Sequence, residues 1–135
     1  MDDNGMIYVS CDFGIVQYNL NTLQFGDTFF IGPNGSQISI SQTALFNGFI
    51  YAASKNNGVL AAEITSPFLN DFNQWYTVAD FGWSGVEKIG NNLVATTSAG
   101  SLQKFNGTTF TPVVQLTEAV NDLRSNGSYL LVTTK

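Results

Sequence analysis

The sequence predicts an all-β protein, a β-propeller fragment of about three four-stranded antiparallel blades. Three observations lead to this prediction. One block of sequence recurs at a spacing typical of propeller blades, and Asn-Gly turns separate short runs rich in Ile, Val, Tyr, Phe and Thr. In addition, no long stretch combines a helical period with capping residues.

The recurring block begins at a turn and continues through a strand. Residues 4–10 recur as residues 47–54, more loosely as residues 90–97, and in a shortened form as residues 126–134. Four apolar residues mark the same position in each copy and lie 43, 43 and 37 residues apart: Ile7, Ile50, Leu93 and Leu130. We therefore interpret residues 1–135 as one partial β-propeller domain.

The dipeptide Asn-Gly is a strong hairpin signal because both residues tolerate the positive φ that a type I′ turn requires. It occurs six times, with Asn at positions 4, 34, 47, 57, 106 and 126. We therefore expect a tight turn at each of these positions.

Each unit is expected to contain four strands. The first two flank a tight turn, as in residues 7–9 and 15–18. A third, outer strand is expected at residues 27–31, 74–78 and 109–114. A fourth strand, which leads into the next repeat, is expected at residues 37–45, 85–89 and 119–124.

A β-trefoil is the alternative fold, because three four-stranded repeats also close at about this length. The chain, however, begins inside one unit and ends inside a fourth. Small residues also recur on the first strand of the copies, at Ser10, Ala52, Ala53, Ala95 and Thr96. That strand is expected to line the narrow central channel, which favours the propeller. A propeller fragment would need its edges covered by further blades or by self-association.

Composition excludes several classes of partner. Ten acidic against five basic residues give a net charge of -5, which argues against binding nucleic acid or an anionic membrane. No apolar run is long enough for membrane insertion, and the acidic N-terminus does not resemble a signal peptide. Few charges with abundant Asn, Thr and Ser favour an extracytoplasmic location.

The sequence offers no catalytic arrangement. Histidine is absent, which removes Ser-His-Asp and Cys-His chemistry, and the single Cys11 is expected to be packed. The carboxylate pairs Asp2-Asp3 and Asp71 with Asp80 are expected to be solvated. We therefore predict a protein that is not an enzyme, with no catalytic residue, no metal site and no cofactor.

Aromatic residues carry the remaining functional signal. Five of them lie close together in the chain: Phe72, Trp75, Tyr76, Phe81 and Trp83. Trp75 and Phe72 are expected to pack in the core. Trp83, set between glycine and serine, is expected to be exposed and, with Asn70 and Asp71, to contact a partner or ligand.

The run from Gly5 to Val16, followed by residues 27–32 and 34–36, resembles the N-terminal β-propeller of PorZ-like proteins. The resemblance continues through residues 50–53 and 58–60 and through the Leu69 to Trp75 element. It covers residues 4–134 and is strongest up to Trp83. Similar propellers occur in the sensor regions of two-component regulators.

PorZ-like proteins are surface components of the type IX (Por) secretion system of Bacteroidota. The resemblance implies a non-enzymatic scaffold at the periplasm or outer-membrane surface that assists cargo processing and attachment. Its partners would be proteins of the attachment complex or surface polysaccharide. The alternatives are the ligand-binding extracytoplasmic sensor propeller of a two-component regulator and, for the trefoil fold, a stand-alone lectin.

Overall fold

The computed structural model describes residues 4–126 and 129–134, which form thirteen β-strands and two three-residue 3₁₀ helices. The strands are β1 (Met6–Cys11), β2 (Gly14–Asn19), β3 (Gln24–Phe29), β4 (Gln42–Phe46), β5 (Phe49–Ser54), β6 (Gly58–Glu63), β7 (Tyr76–Ala79), β8 (Trp83–Ile89), β9 (Asn92–Thr97), β10 (Ser101–Phe105), β11 (Phe110–Gln115), β12 (Val120–Ser125) and β13 (Leu130–Thr134). The 3₁₀ helices span Pro33–Gly35 and Phe72–Gln74.

The strands form four antiparallel sheets, each built from consecutive strands. Blade 1 contains β1 to β3, blade 2 contains β4 to β7, blade 3 contains β8 to β11, and blade 4 contains β12 and β13. Blades 2, 3 and 4 each begin with the strand that ends the preceding sequence repeat, namely β4, β8 and β12. The fold is therefore that of a β-propeller fragment, as the repeat predicts, and the trefoil alternative is wrong.

The strand boundaries differ from the expected ones mainly at the outer and fourth positions. The outer strand of blade 1 ends at Phe29 rather than residue 31, and that of blade 2 begins at Tyr76, after a 3₁₀ helix. The fourth strand expected at residues 37–45 is the shorter β4, because residues 37–41 form a connection between blades. Each outer strand also makes a register shift against its neighbour in blades 1, 2 and 3.

The turn between β4 and β5 has the expected type I′ character, with φ of 48° at Asn47 and 80° at Gly48. At Asn34 and Gly35 both φ values are also positive, but these residues lie in a 3₁₀ helix and not in a hairpin. Among the described residues, no other Asn has a positive φ. The last Asn-Gly turn extends to residue 127, which lies outside the described residues.

The blades converge on one edge. Strand β8 packs against both β4 and β12, whereas most residues of β3 and β11 are exposed. Because the blades of a propeller radiate from its axis, β4, β8 and β12 are the innermost strands of their sheets. The first strand of each sequence repeat is β1, β5, β9 or β13, so it is the next strand out.

The expectation that the repeated small residues line the channel is therefore wrong. They are packed between blades: Ala52 contacts blade 1, whereas Ala53 and Ala95 lie between blades 2 and 3. Thr96 is also fully buried, and Ser10 is half-buried. Sheets of neighbouring blades stack face to face, and small side chains on the second strands allow them to approach.

Two apolar clusters join the blades. The first interblade core lies between blades 1 and 2 and contains Ile15, Phe29, Ile31, Ile38, Ile40, Ile50, Ala52, Leu60, Ala62, Leu69 and Trp75. The second interblade core lies between blades 2 and 3 and contains Ala44, Tyr51, Ala53, Val59, Ala61, Trp83, Val86, Leu93 and Ala95. Strands β5 and β6 alternate between the two cores, since successive side chains of a strand point to opposite faces.

Helical structure in the described part of the chain is limited to the two 3₁₀ helices Pro33–Gly35 and Phe72–Gln74. No helix among residues 4–126 and 129–134 has the length and apolar character needed to cross a membrane.

Candidate functional site

Trp83 is buried, contrary to the expectation that it is exposed. Only 7% of its surface is accessible, and its ring centroid lies 5.1 Å from that of Phe110 in blade 3. Gly82 and Ser84 do not form a turn around it, because Trp83 is the first residue of β8. Its side chain packs in the second interblade core, so it cannot anchor a partner in the folded protein.

Asn70 is exposed, and Asp71 has a structural task. The Asp71 carboxylate accepts hydrogen bonds from the backbone N–H of Asn73 at 2.9 Å and from its side-chain amide at 3.0 Å. It thereby caps the 3₁₀ helix Phe72–Gln74. This loop belongs to blade 2 on the side of the first interblade core, whereas Trp83 packs in the second, so the structure does not bring the three predicted contact residues together.

Trp75 is a core residue, as expected. It is 8% exposed, it donates its indole N–H to the carbonyl of Leu69 at 2.8 Å, and its ring lies against Phe29 of blade 1. Phe72 is only half-buried and, with Trp75 and Pro33, lines a cavity of about 170 Å³.

The exposed aromatic residues are different from the one that the sequence singled out. Phe81, in the connection between β7 and β8, is 78% exposed, and Phe25 on the outer strand β3 is 74% exposed. Phe81 is two residues from Trp83, so within the aromatic cluster of the sequence Phe81 is the exposed side chain and Trp83 is a buried one. Residue type alone did not show that Trp83 begins a strand whereas Phe81 lies in the connection before it.

A cavity of about 520 Å³ lies beside the inner strands of blades 2 and 3 and the adjacent strand of blade 1. Its lining includes Tyr8, Thr43, Glu87 and Lys88. Burial raises the pKa of the Glu87 carboxyl above the ordinary value for glutamate. The N–H groups of Lys88 and Ser125 bond to this carboxylate and favour its ionised form, but burial has the larger effect.

A third cavity, of about 220 Å³, lies where the inner strands begin, and both polar and apolar side chains line it. We call it the strand-entry cavity, and its lining residues are Ser41, Lys55, Ser84, Ser98, Ala119, Val120 and Asn121. The sequence analysis missed it because its residues come from three repeats. The signal lies in the repeat register, since Ser41 and Ser84 are 43 residues apart, as are Lys55 and Ser98.

The described residues contain no group of three or more His, Cys, Asp or Glu side chains that could hold a metal ion. Cys11 is a half-buried free thiol whose Sγ lies 3.6 Å from the carbonyl oxygen of Val9. The described surface offers exposed aromatic rings, and cavities that residues of neighbouring blades line together.

The blade architecture and these surfaces define a β-propeller module. The family described as "TSS9, PorZ, N-terminal beta-propeller domain" matches residues 2–76, which is more than half of the chain. The chain belongs to this family, as the resemblance of its first blades indicates. No curated protein is significantly similar to it.

Several solved structures share the fold. A structure of U3-55K has a TM-score of 0.70 at 14% identity, covering 98% of this chain and 43% of the other. The extracellular domain of a putative hybrid two-component system from B. thetaiotaomicron has a TM-score of 0.67 at 16% identity, and the match covers 100% of this chain and 19% of the other. The N-terminal domain of Nup159 has a TM-score of 0.64 at 14% identity, covering 98% and 36%. The chain thus spans less than half of each.

Proposed function

We propose that the chain is a non-enzymatic scaffold and binding module of a type IX secretion system surface protein. In this role it assists cargo processing and attachment by contact with proteins of the attachment complex or with surface polysaccharide. It works outside the cytoplasm, in the periplasm or at the outer-membrane surface. The family match over residues 2–76 is the observation that carries the proposal.

The surface composition supports a role based on contact. Charged residues make up only 11% of the chain, and large apolar side chains such as Phe81, Phe68 and Phe25 are more than 60% exposed. Exposed aromatic rings are effective anchors because they bury a large area at a small cost in conformational entropy. We assign the docking role in the β7–β8 connection to Phe81, in place of the buried Trp83.

The docking contact is tested by the substitution Phe81→Ala in the full-length protein. Surface attachment of type IX cargo is expected to fall, while circular dichroism and thermal unfolding stay unchanged because the side chain is exposed. The matched control is Phe25→Ala, which removes an equally exposed ring from the outer strand of blade 1. Normal attachment after removal of the whole propeller would refute the scaffold proposal.

A ligand-binding sensor propeller of a two-component regulator is the second candidate. The observation that favours it is the shared fold with the extracellular domain of a putative hybrid two-component system. A transmembrane helix and a histidine kinase in the same reading frame would support this candidate, whereas a C-terminal sorting module would support the first. Ligand-dependent phosphorylation of that kinase would be the direct measurement.

A further inference from the structure

The strand-entry cavity is built from the same register positions of successive blades. Ser41 directly precedes β4, the inner strand of blade 2. Ser84 and Asn121 are the second residues of β8 and β12, the inner strands of blades 3 and 4. Lys55 and Ser98 directly follow the second strands of blades 2 and 3. Three blades therefore converge on one opening of about 220 Å³, a volume that suits a small organic molecule.

The lining combines one cationic side chain with neutral polar and apolar ones. None of the lining residues is acidic, and the ammonium group of Lys55 makes no ion pair with any described residue. The Ser41 and Ser84 hydroxyls lie within hydrogen-bond distance of main-chain carbonyls of β5 and β9. Lys55 is an exposed residue that lines the cavity, and it is the one charged side chain of the described lining, in a protein of net charge -5.

Ser98 adds a second observation. Its hydroxyl is buried and has no hydrogen-bond partner among the described residues. An unsatisfied buried hydroxyl is destabilising, so such groups usually reflect a missing partner or a function. Ser98 lines the strand-entry cavity. Rotation about its χ1 angle turns the hydroxyl towards the cavity with little movement of the backbone.

We propose that the strand-entry cavity binds the carboxylate of a small organic acid. Lys55 supplies the positive charge, and the Ser98 hydroxyl and the Asn121 amide donate hydrogen bonds to the ligand oxygens. A monoanion fits better than phosphate, because one lysine without an arginine matches a single negative charge. This proposal does not rest on the scaffold role: Phe81 is not a lining residue of the cavity, although its neighbour Gly82 bonds through its backbone to Lys55 and Ser98.

Titration of the full chain with L-lactate, followed by the amide NMR signals of Ser98 and Asn121, tests the site. Saturable shifts of these two signals are expected, and methyl L-lactate, which lacks the charge, should not produce them. Equal binding of the ester, or binding of inorganic phosphate in preference to lactate, would overturn the assignment to a carboxylate.

Two variants test the residues. Lys55→Gln should raise the Kd for lactate about tenfold, as expected for loss of a charge-assisted hydrogen bond. Lys104→Gln removes the same charge from β10, outside the cavity, and should leave the Kd unchanged. An equal loss of affinity in both variants would mean attraction by overall charge and would overturn the site.

Ser98→Ala separates binding from stability. Removal of an unsatisfied hydroxyl should leave the midpoint of thermal unfolding unchanged or higher, while the Kd for lactate increases. An unchanged Kd would exclude the Ser98 hydroxyl from the site.

Discussion

The side-chain amide of Gln42, on the inner strand of blade 2, donates a hydrogen bond to the main-chain carbonyl of Leu123, on the inner strand of blade 4. The two residues are 81 positions apart, and blade 3 lies between their sheets. The bond passes over Gly85 of β8, where an added Cβ would lie 2.8 Å from the Gln42 Oε1 atom and 3.3 Å from the Leu123 Cβ. A glycine on the middle strand thus allows three inner strands to be joined near the axis.

Gln42→Ala is expected to lower the free energy of unfolding by about 1–3 kcal/mol, because the buried Leu123 carbonyl loses a donor. Gly85→Ala should destabilise the protein through the same bond by displacing the Gln42 side chain. In a double-mutant cycle measured by urea unfolding, the free energy of unfolding should therefore fall by less in the double variant than the sum of its decreases in the two single variants. Gln24→Ala, on the exposed strand β3, is the control and should have little effect. Additive losses would show that the two residues act separately.

Gly58 begins β6 with φ of 95°, directly beside the end of the outer strand β7. A Cβ here would overlap the carbonyl oxygen of Ala79, and backbone cannot move aside as a flexible side chain can. We expect Gly58→Ala to reduce the free energy of unfolding by more than about 3 kcal/mol, since strain at positive φ and overpacking add.

The matched control for this substitution is Gly48→Ala. Gly48 has a similar φ of 80°, but an added Cβ would meet no atom within 4 Å. Gly48→Ala should lower the free energy of unfolding only through the strain at positive φ, by about 1–2 kcal/mol. Equal losses in the two variants, measured by thermal and urea unfolding, would show that the close approach of Ala79 does not matter.

The repeat in the sequence predicted four-stranded units, but a trefoil has such units too. One of the two observations that favoured the propeller, the small residues expected to line the channel, was wrong. The 43-residue spacing of Ile7, Ile50 and Leu93 places these residues on β1, β5 and β9, which occupy equivalent positions in their sheets. A sequence repeat does not show which strand is the first of a blade, however, because the spacing is the same whichever strand is counted first. Only the packing of β8 against β4 and β12 identifies the inner edge.

The candidate site was less predictable for a related reason. Trp83 has the neighbours of a turn residue, but pairing of β8 with β9 makes it a strand residue facing Phe110. The strand-entry cavity depends on residues from three blades, of which Ser41 and Asn121 are 80 positions apart in the chain. Local pattern determines strands and turns, whereas these features depend on how blades pack.

Trp75 should contribute strongly to the stability of the first interblade core. Trp75→Ala is expected to cost about 3–5 kcal/mol, as is typical of a buried large aromatic residue. Trp75→Phe should cost less, since it keeps a ring against Phe29 but leaves the Leu69 carbonyl without the indole donor. Phe68→Ala, at a nearby side chain that is 61% exposed, is the control and should change the free energy of unfolding by less than about 0.5 kcal/mol. A small effect of Trp75→Ala would contradict the assignment of Trp75 to the core.

Glu87 should make stability depend on pH. Burial raises the pKa of its carboxyl in the folded protein, so above about pH 4.3, the ordinary pKa of glutamate, the folded state binds more protons at this site than the unfolded state. Its contribution to stability is therefore present at lower pH and is lost as the pH rises through the raised pKa. Glu87→Gln cannot ionise and keeps an oxygen that accepts from the Lys88 N–H.

The variant should consequently gain stability relative to the wild type as the pH increases from 4 to 8. The measurement is the difference in free energy of unfolding between the two proteins at each pH, which cancels the contribution of every other titrating group. Glu63→Gln, at an exposed glutamate at the end of β6, is the matched control for the loss of a carboxylate outside the cavity. A difference for Glu87→Gln that moves in the opposite direction would mean that the bonds from Lys88 and Ser125, together with the charge of Arg124, outweigh the burial of the carboxylate.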